Sequence, residues 1–216
     1  PVSMQVDAAS RPPRAEPQTG TTYNIWYNKW AGGDRWGQVR VKPETRVDIA
    51  RDSGETVGSR NPEAYFCNFF ARGCCPHGYH CRFIHRIPED TDRIERTRDC
   101  FGRELFGNLR DDMGGVGSFM REHHTLYVGR IGPSNNMEEM VRRHFSPFGR
   151  ISRLKMLPSK GVAFVTYTNR LNAEFAKEAM ADQSLDNNEV SRQQRASLVS
   201  VLPSHACGSA AHATDA

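Results

Sequence analysis

No run of about eighteen apolar residues, the length a membrane-spanning helix requires, occurs in this chain of 216 residues. The opening Pro1-Val2-Ser3-Met4 also lacks the apolar stretch of a secretory leader. Cysteine is scarce outside one place: four of the six fall between Cys67 and Cys81. Without a leader, that cluster points away from an extracellular disulfide scaffold and toward thiols gathered round a metal. Apolar residues make up only 38%, lean for one large core, which predicts small domains with at least one stapled by an ion. Lysine is rare beside arginine. The net charge is nonetheless +4, a mildly basic balance that favours a polyanionic partner, and arginine suits bidentate phosphate contacts and stacking on bases.

What is present is unevenly distributed. Residues 1–20 are rich in Pro, Ala and polar types and read as a disordered lead-in. Asn24-Ile25-Trp26-Tyr27-Asn28-Lys29-Trp30 then gathers two tryptophans and a tyrosine round one lysine, ahead of a Gly32-Gly33-Asp34-Arg35 turn and Trp36. Such rings serve as a mini-core, a stacking platform, or both. Over 37–64, short apolar pieces (Val39, Val41, Val47, Ile49) separated by turn residues predict irregular structure. Beyond the cysteines, Ile87-Pro88-Glu89-Asp90 reads as a turn and 91–106 has an acid-rich helix start. Residues 107–124 hold Gly114-Gly115-Val116-Gly117 and read as a glycine-rich linker.

From Thr125 the pattern becomes regular. Residues 126–131 predict a strand, and 137–145 an amphipathic helix with Met137, Met140, Val141 and Phe145 on one face. Strands over 151–157 and 161–167 precede a second amphipathic helix over 171–180. The order β-α-β-β-α with a weak final strand is the split βαβ, ferredoxin-like arrangement. The fold class is therefore α+β.

The cysteine run closes on His85. Cys67, Cys75, Cys81 and His85 are spaced C-x7-C-x5-C-x3-H. Three thiolates and one imidazole complete a closed tetrahedral Zn2+ site with no position left for water, a structural ion whose binding is coupled to folding. Cys74 is an alternative to Cys75, and His77 and His80 are rival ligands that read better as exposed loop histidines. Similarity to CCCH zinc fingers selects Cys75, because the x5 and x3 spacings then match that family. Aromatic and arginine residues interleave with the ligands, and Phe69, Arg72, Tyr79, Arg82 and Phe83 are candidate RNA contacts. The competing role for the rings is to cover the metal, since a finger has little other core.

Leu126-Tyr127-Val128-Gly129-Arg130-Ile131 resembles the RNP2 motif of RNA-recognition motifs, and Lys160-Gly161-Val162-Ala163-Phe164-Val165-Thr166-Tyr167 resembles RNP1. Strand alternation turns Ala163, Val165 and Tyr167 toward the helices. Lys160, Val162, Phe164 and Thr166 then face outward, as does Tyr127 on the neighbouring strand. Tyr127 and Phe164 are placed to stack bases, with Lys160 reaching phosphate. Val162 stands where the motif normally has an aromatic, which predicts weaker or less selective binding by this sheet.

Taken together, the aromatic segment 24–35, the finger, the linker Asp111-Asp112-Met113-Gly114-Gly115-Val116-Gly117-Ser118-Phe119 and the RNP-like strands resemble one family. It is that of fungal pre-mRNA splicing factors joining a Torus element, a CCCH finger and one RNA-recognition motif in the NineTeen-related complex. The resemblance implies a nuclear, non-membrane protein that is monomeric within a large assembly. It implies contacts to U6 snRNA and intron RNA near the catalytic centre, favouring an active RNA conformation, with Tyr27, Lys29 and Trp30 of the Torus taking part. It also implies a Torus–finger unit docked beside the RNA-recognition motif.

The expected organisation is a tail over 1–20, Torus 21–64, finger 65–87, connector helix and linker 88–123, RNA-recognition motif 124–202 and a disordered tail 203–216. After Glu189 the family pattern stops. The alternating run 196–202 is the candidate last strand, and read-through of an intron from Val190-Ser191 is the other reading of this stretch. An enzyme is not expected: the zinc site is closed, Gly114-Gly115-Val116-Gly117 lacks the lysine of a phosphate loop, and Asp111-Asp112 reads as a solvated acidic pair. The remaining alternatives are a messenger-RNA stability regulator and a protein-binding scaffold.

Overall fold

A computed structural model describes residues 2–7, 43–107, 116–120, 122–129, 131–132, 136–181 and 183–185, together with the backbone of 22–24, 29–31 and 199–202. Tyr27, with most of the aromatic segment, and the linker 108–115 lie outside the described residues. Two short strands, β1 (Thr22–Asn24) and β2 (Lys29–Ala31), pair antiparallel. Lys29 and Trp30 are therefore placed on β2 by their backbone alone.

The carboxy-terminal half follows its periodicities. Strand β3 (Thr125–Val128) has Leu126 and Val128 fully buried. Helix α3 (Met137–Phe145) buries Met137, Met140, Val141 and Phe145. It carries Glu138 and Glu139 in its first turn and Arg142, Arg143 and His144 in its last, complementing the helix dipole. Strands β4 (Ile151–Leu157) and β5 (Val162–Tyr167) form a hairpin. Helix α4 (Arg170–Ala179) starts at Asn169, whose side chain accepts the Leu171 N–H.

Strand β6 (Val199–Leu202) pairs with the free edge of β3, completing an antiparallel sheet in the order β4-β5-β3-β6. The ferredoxin-like arrangement is thus present, with the last strand drawn from the alternating run after Glu189. Both helices cover one face of the sheet, where Ala163, Val165 and Tyr167 are buried.

The amino-terminal half has little regular structure: α1 (Ile49–Asp52), α2 (Asn68–Ala71) and single turns at Gly58–Arg60 and Gly78–His80. Two expectations need correction here. Residues 2–7 of the expected disordered lead-in are packed: Val2 is buried, and the Gln5 N–H donates to Cys75 O at 3.0 Å. The connector is not helical over its described residues. Its carboxylates bond side chains and turns instead. Asp92 takes both Arg86 guanidinium nitrogens at 2.6 Å and the Glu89 N–H at 2.7 Å. Asp99 accepts the Phe101 and Arg103 N–H groups. Aspartate offers the backbone just such a local alternative to helix.

The two halves share one core. Phe175 of α4 meets Phe66, Phe70, Phe101 and Phe148 at ring-centroid distances of 5.9–6.3 Å. A free α4 of this domain type would keep a solvated face; here nine of its ten residues are buried.

Candidate metal centre and nucleic-acid interface

The metal centre is assembled by chain segments that pin one another. Cys67 caps α2, its Sγ accepting the Phe70 N–H at 3.3 Å. Its own N–H bonds Ile84 O at 3.0 Å, and the Ile84 N–H bonds Tyr65 O, which ties the first ligand to the last. The segments before the finger then hold the carbonyls of the other three: Gln5 N–H on Cys75, Gly58 N–H on Cys81 and Gly54 N–H on His85, all at 2.9–3.0 Å.

Cys67, Cys75, Cys81 and His85 are all buried, and one ligand atom from each lies within 4.8 Å of the rest. The sulfur–sulfur distances are 3.7, 3.8 and 3.9 Å. A tetrahedron with metal–sulfur bonds of about 2.3 Å has edges of about 3.8 Å, so the triangle fits a zinc-sized ion. Neither ring nitrogen of His85 has a hydrogen-bond partner among the described residues, though both are buried. Such orphans are rare unless an ion or water meets them. Phe70 stacks on the imidazole at 4.7 Å and sets its plane. Hydrogen bonding from Cys67 and Cys75 holds the Cys81 thiol far below its ordinary range. These four residues could together hold a metal ion. Cys74 is buried but outside it, and His77 and His80 are exposed.

On the other side of the molecule, β3 and β5 set Tyr127 directly opposite Phe164, with ring centroids 5.8 Å apart at 66°. Both rings are half-buried on the sheet face away from the helices. A Cβ on Gly129 would sit 2.8 Å from the Tyr127 ring, so a side chain there would displace that ring. Register places Lys155 of β4 next to Phe164, so a lysine and two rings run across three strands. Sequence reasoning missed Lys155, although strand alternation on β4 would have found it. Lys160, expected to face outward at the head of the strand, lies in the exposed turn Pro158–Lys160 that leads into β5. Val162 has the outward parity expected of it but is only 8% exposed.

The finger residues divide. Phe83 is 46% exposed and Arg82 is exposed beside it. Tyr79 is half-buried, with its hydroxyl accepting from Arg60 at 2.8 Å. Phe69 packs partly into the core. Arg72, read as a phosphate contact, instead pairs with Glu178 of α4 through Nη2 at 2.6 Å and Nε at 3.1 Å. Arg103 Nη1 meets the other Glu178 oxygen at 2.7 Å, and its Nε reaches Asp99 at 2.7 Å. Burial works against the Glu178 carboxylate, but Arg103 and Arg72 outweigh it and hold its pKa low. Nearby, Arg170 donates to Glu95 O and Arg98 O, and the Cys100 N–H donates to Glu174 at 2.8 Å. The Asn172 amide bridges Pro88 O and Phe148 O, both at 2.8 Å.

Fold and site together define a ferredoxin-like RNA recognition motif with a Cys3His metal centre docked on its helical face. Residues 1–103 match the Torus domain family and residues 126–191 the RNA recognition motif family. A protein of Aspergillus fumigatus named pre-mRNA-splicing factor cwc2 is 55% identical over 192 residues, 88% of this chain and 46% of that protein. Pre-mRNA-splicing factor cwf2 of Schizosaccharomyces pombe is 51% identical over 191 residues, 88% of this chain and 49% of that protein. This chain belongs to the family those proteins represent, in which a Torus domain is joined to an RNA recognition motif. It spans about half the length of these relatives.

Proposed function

We propose that this chain is the RNA-binding part of a nuclear pre-mRNA splicing factor, without enzymatic activity of its own. The observation that carries the reading is the half-buried pair Tyr127 and Phe164, set side by side on the open sheet face with Lys155 alongside. Rings so placed stack unpaired bases, and the lysine meets the backbone charge. The names of the related proteins support splicing as the process.

The Cys67, Cys75, Cys81 and His85 set holds one Zn2+, which cross-links the finger and leaves no site for chemistry. Arg82 and Phe83, exposed on that finger, add RNA contacts, with Tyr79 beside them. By family resemblance the RNA is U6 snRNA and the intron near the spliceosome's catalytic centre. Tyr27, Lys29 and Trp30 contribute from the Torus, and the protein partners are those of the NineTeen-related complex.

Two measurements test this. Replacing Tyr127→Ala and Phe164→Ala together weakens single-stranded RNA binding by about 1–3 kcal/mol per lost stack; unchanged affinity at fixed salt removes the sheet from the interface. Crosslinking in nuclear extract, mapped to both nucleotide and residue, places the chain on U6 snRNA and intron. Crosslinks confined to messenger untranslated regions would indicate a stability regulator instead.

A further inference from the structure

Composition gives residues 2–7 no reason to be ordered, yet they lie against the metal centre. Cys75 lies in the irregular stretch between α2 and the Gly78–His80 turn and, among the described residues, makes no main-chain hydrogen bond to a neighbouring residue. Both of its main-chain groups are taken by Gln5: the Gln5 N–H donates to Cys75 O at 3.0 Å, and the Cys75 N–H donates to Gln5 Oε1 at 2.9 Å. Gln5 is itself fixed, because its Nε2 donates to Asp52 Oδ2 at 2.9 Å. Asp52 is 2% exposed and is also held by the Asp48 N–H and Arg51 Nε.

Val2 anchors the other end. It is 8% exposed, and its carbonyl accepts the Tyr79 N–H at 3.1 Å. The fit is close on two sides. A Cβ on Gly54 would sit 2.9 Å from the Val2 side chain, and one on Gly78, where φ is +48°, would sit 2.9 Å from the Val2 carbonyl oxygen.

We propose that residues 2–7 are a strap that governs how firmly the centre retains its ion, with Gln5 as the positioning residue for the ligand Cys75; this rests on the zinc reading above. Release of an ion from a closed tetrahedral site begins when one ligand swings away. Cys75 is the ligand whose backbone is free to do so once Gln5 lets go, since Cys67 is held by its helix cap and Ile84, Cys81 by Gly58 and Gly78, and His85 by Gly54. The strap raises the barrier to that first step. It acts through the backbone, so it leaves the ligand set and stoichiometry unchanged.

The test uses the full chain loaded with zinc, as wild type, Gln5→Ala, Val2→Asp and the control Met4→Ala, a strap residue that is 62% exposed. Metal content is measured first, then the rate of zinc transfer to an excess of a chromogenic chelator. All four chains are expected to hold one ion. Transfer should be at least about tenfold faster in Gln5→Ala and Val2→Asp, the scale on which supporting hydrogen bonds act in metal sites, and unchanged in Met4→Ala. A Gln5→Ala chain that arrives without its ion is reloaded with zinc and scored in the same way. Rates in both strap variants within about twofold of wild type, well below that scale, would overturn the strap while leaving the zinc centre standing. A wild-type chain that takes up no zinc would defeat the zinc reading itself, and the strap with it.

Discussion

Glu174 sits at the seam between finger and sheet domain, where Arg170 Nε approaches one carboxylate oxygen at 2.8 Å and the Cys100 N–H the other. Burial nevertheless wins over Arg170, and the pKa is pushed up to about 7 from an ordinary 4.5. A carboxyl raised on folding adds stability that is fully present below its unfolded pKa and is lost as pH rises through the folded one. Relative to Glu174→Gln, the wild-type chain should therefore lose up to roughly 3 kcal/mol between about pH 4 and about pH 8. Chemical denaturation of both chains at saturating zinc measures it, and a difference flat across that range would place the carboxyl's titration elsewhere.

Single residues were legible where chemistry leaves a spacing. Cys67, Cys81 and His85 stood out by spacing, resemblance to CCCH fingers chose Cys75 over Cys74, and the structure gathers these four side chains; strand parity set Tyr127 beside Phe164. Gln5 left no such trace, because its partner Cys75 lies 70 positions away and neither belongs to a periodic element. Arg72 looked like a phosphate contact for the same reason: its carboxylate, Glu178, is 106 positions on.

At the scale of elements, the apolar periods gave α3, β4, β5 and α4 nearly to the residue. What the period of α4 did not reveal is its second buried side. Arg170, Glu174 and Glu178 recur on it like a solvated stripe, and only the arginines and backbone of the other half turn that stripe inward. The connector misled in the opposite sense, since acids at its start suggested a helix but cap turns instead. Phe175 concentrates the consequence for α4, as its ring touches aromatics from both halves. Phe175→Ala should destabilise the chain by roughly 3–5 kcal/mol, the usual loss for a core phenylalanine. Urea denaturation followed on both halves should show them losing stability together; a loss confined to one would mean the shared core is not cooperative.

For the molecule as a whole, an ion held by this cluster would support more than its own loop. It would fix α2, whose Phe70 packs on Phe175 and whose following residue Arg72 pairs with Glu178. Stripping the metal with a chelator should accelerate amide hydrogen exchange along α4 and lower the melting temperature of the sheet domain, which contains no ligand. Exchange on α4 that ignores the chelator would show the two halves to be energetically independent.

The docking of the finger on the helices also has a consequence for distance. Tyr127 and Phe164 look out from one side of the sheet, while Phe83 and Arg82 belong to the layer stacked behind α4. Between the two surfaces stand a sheet and a helix roughly 10 Å across. A ligand engaging both surfaces at once would therefore have to reach past the thickness of a helix.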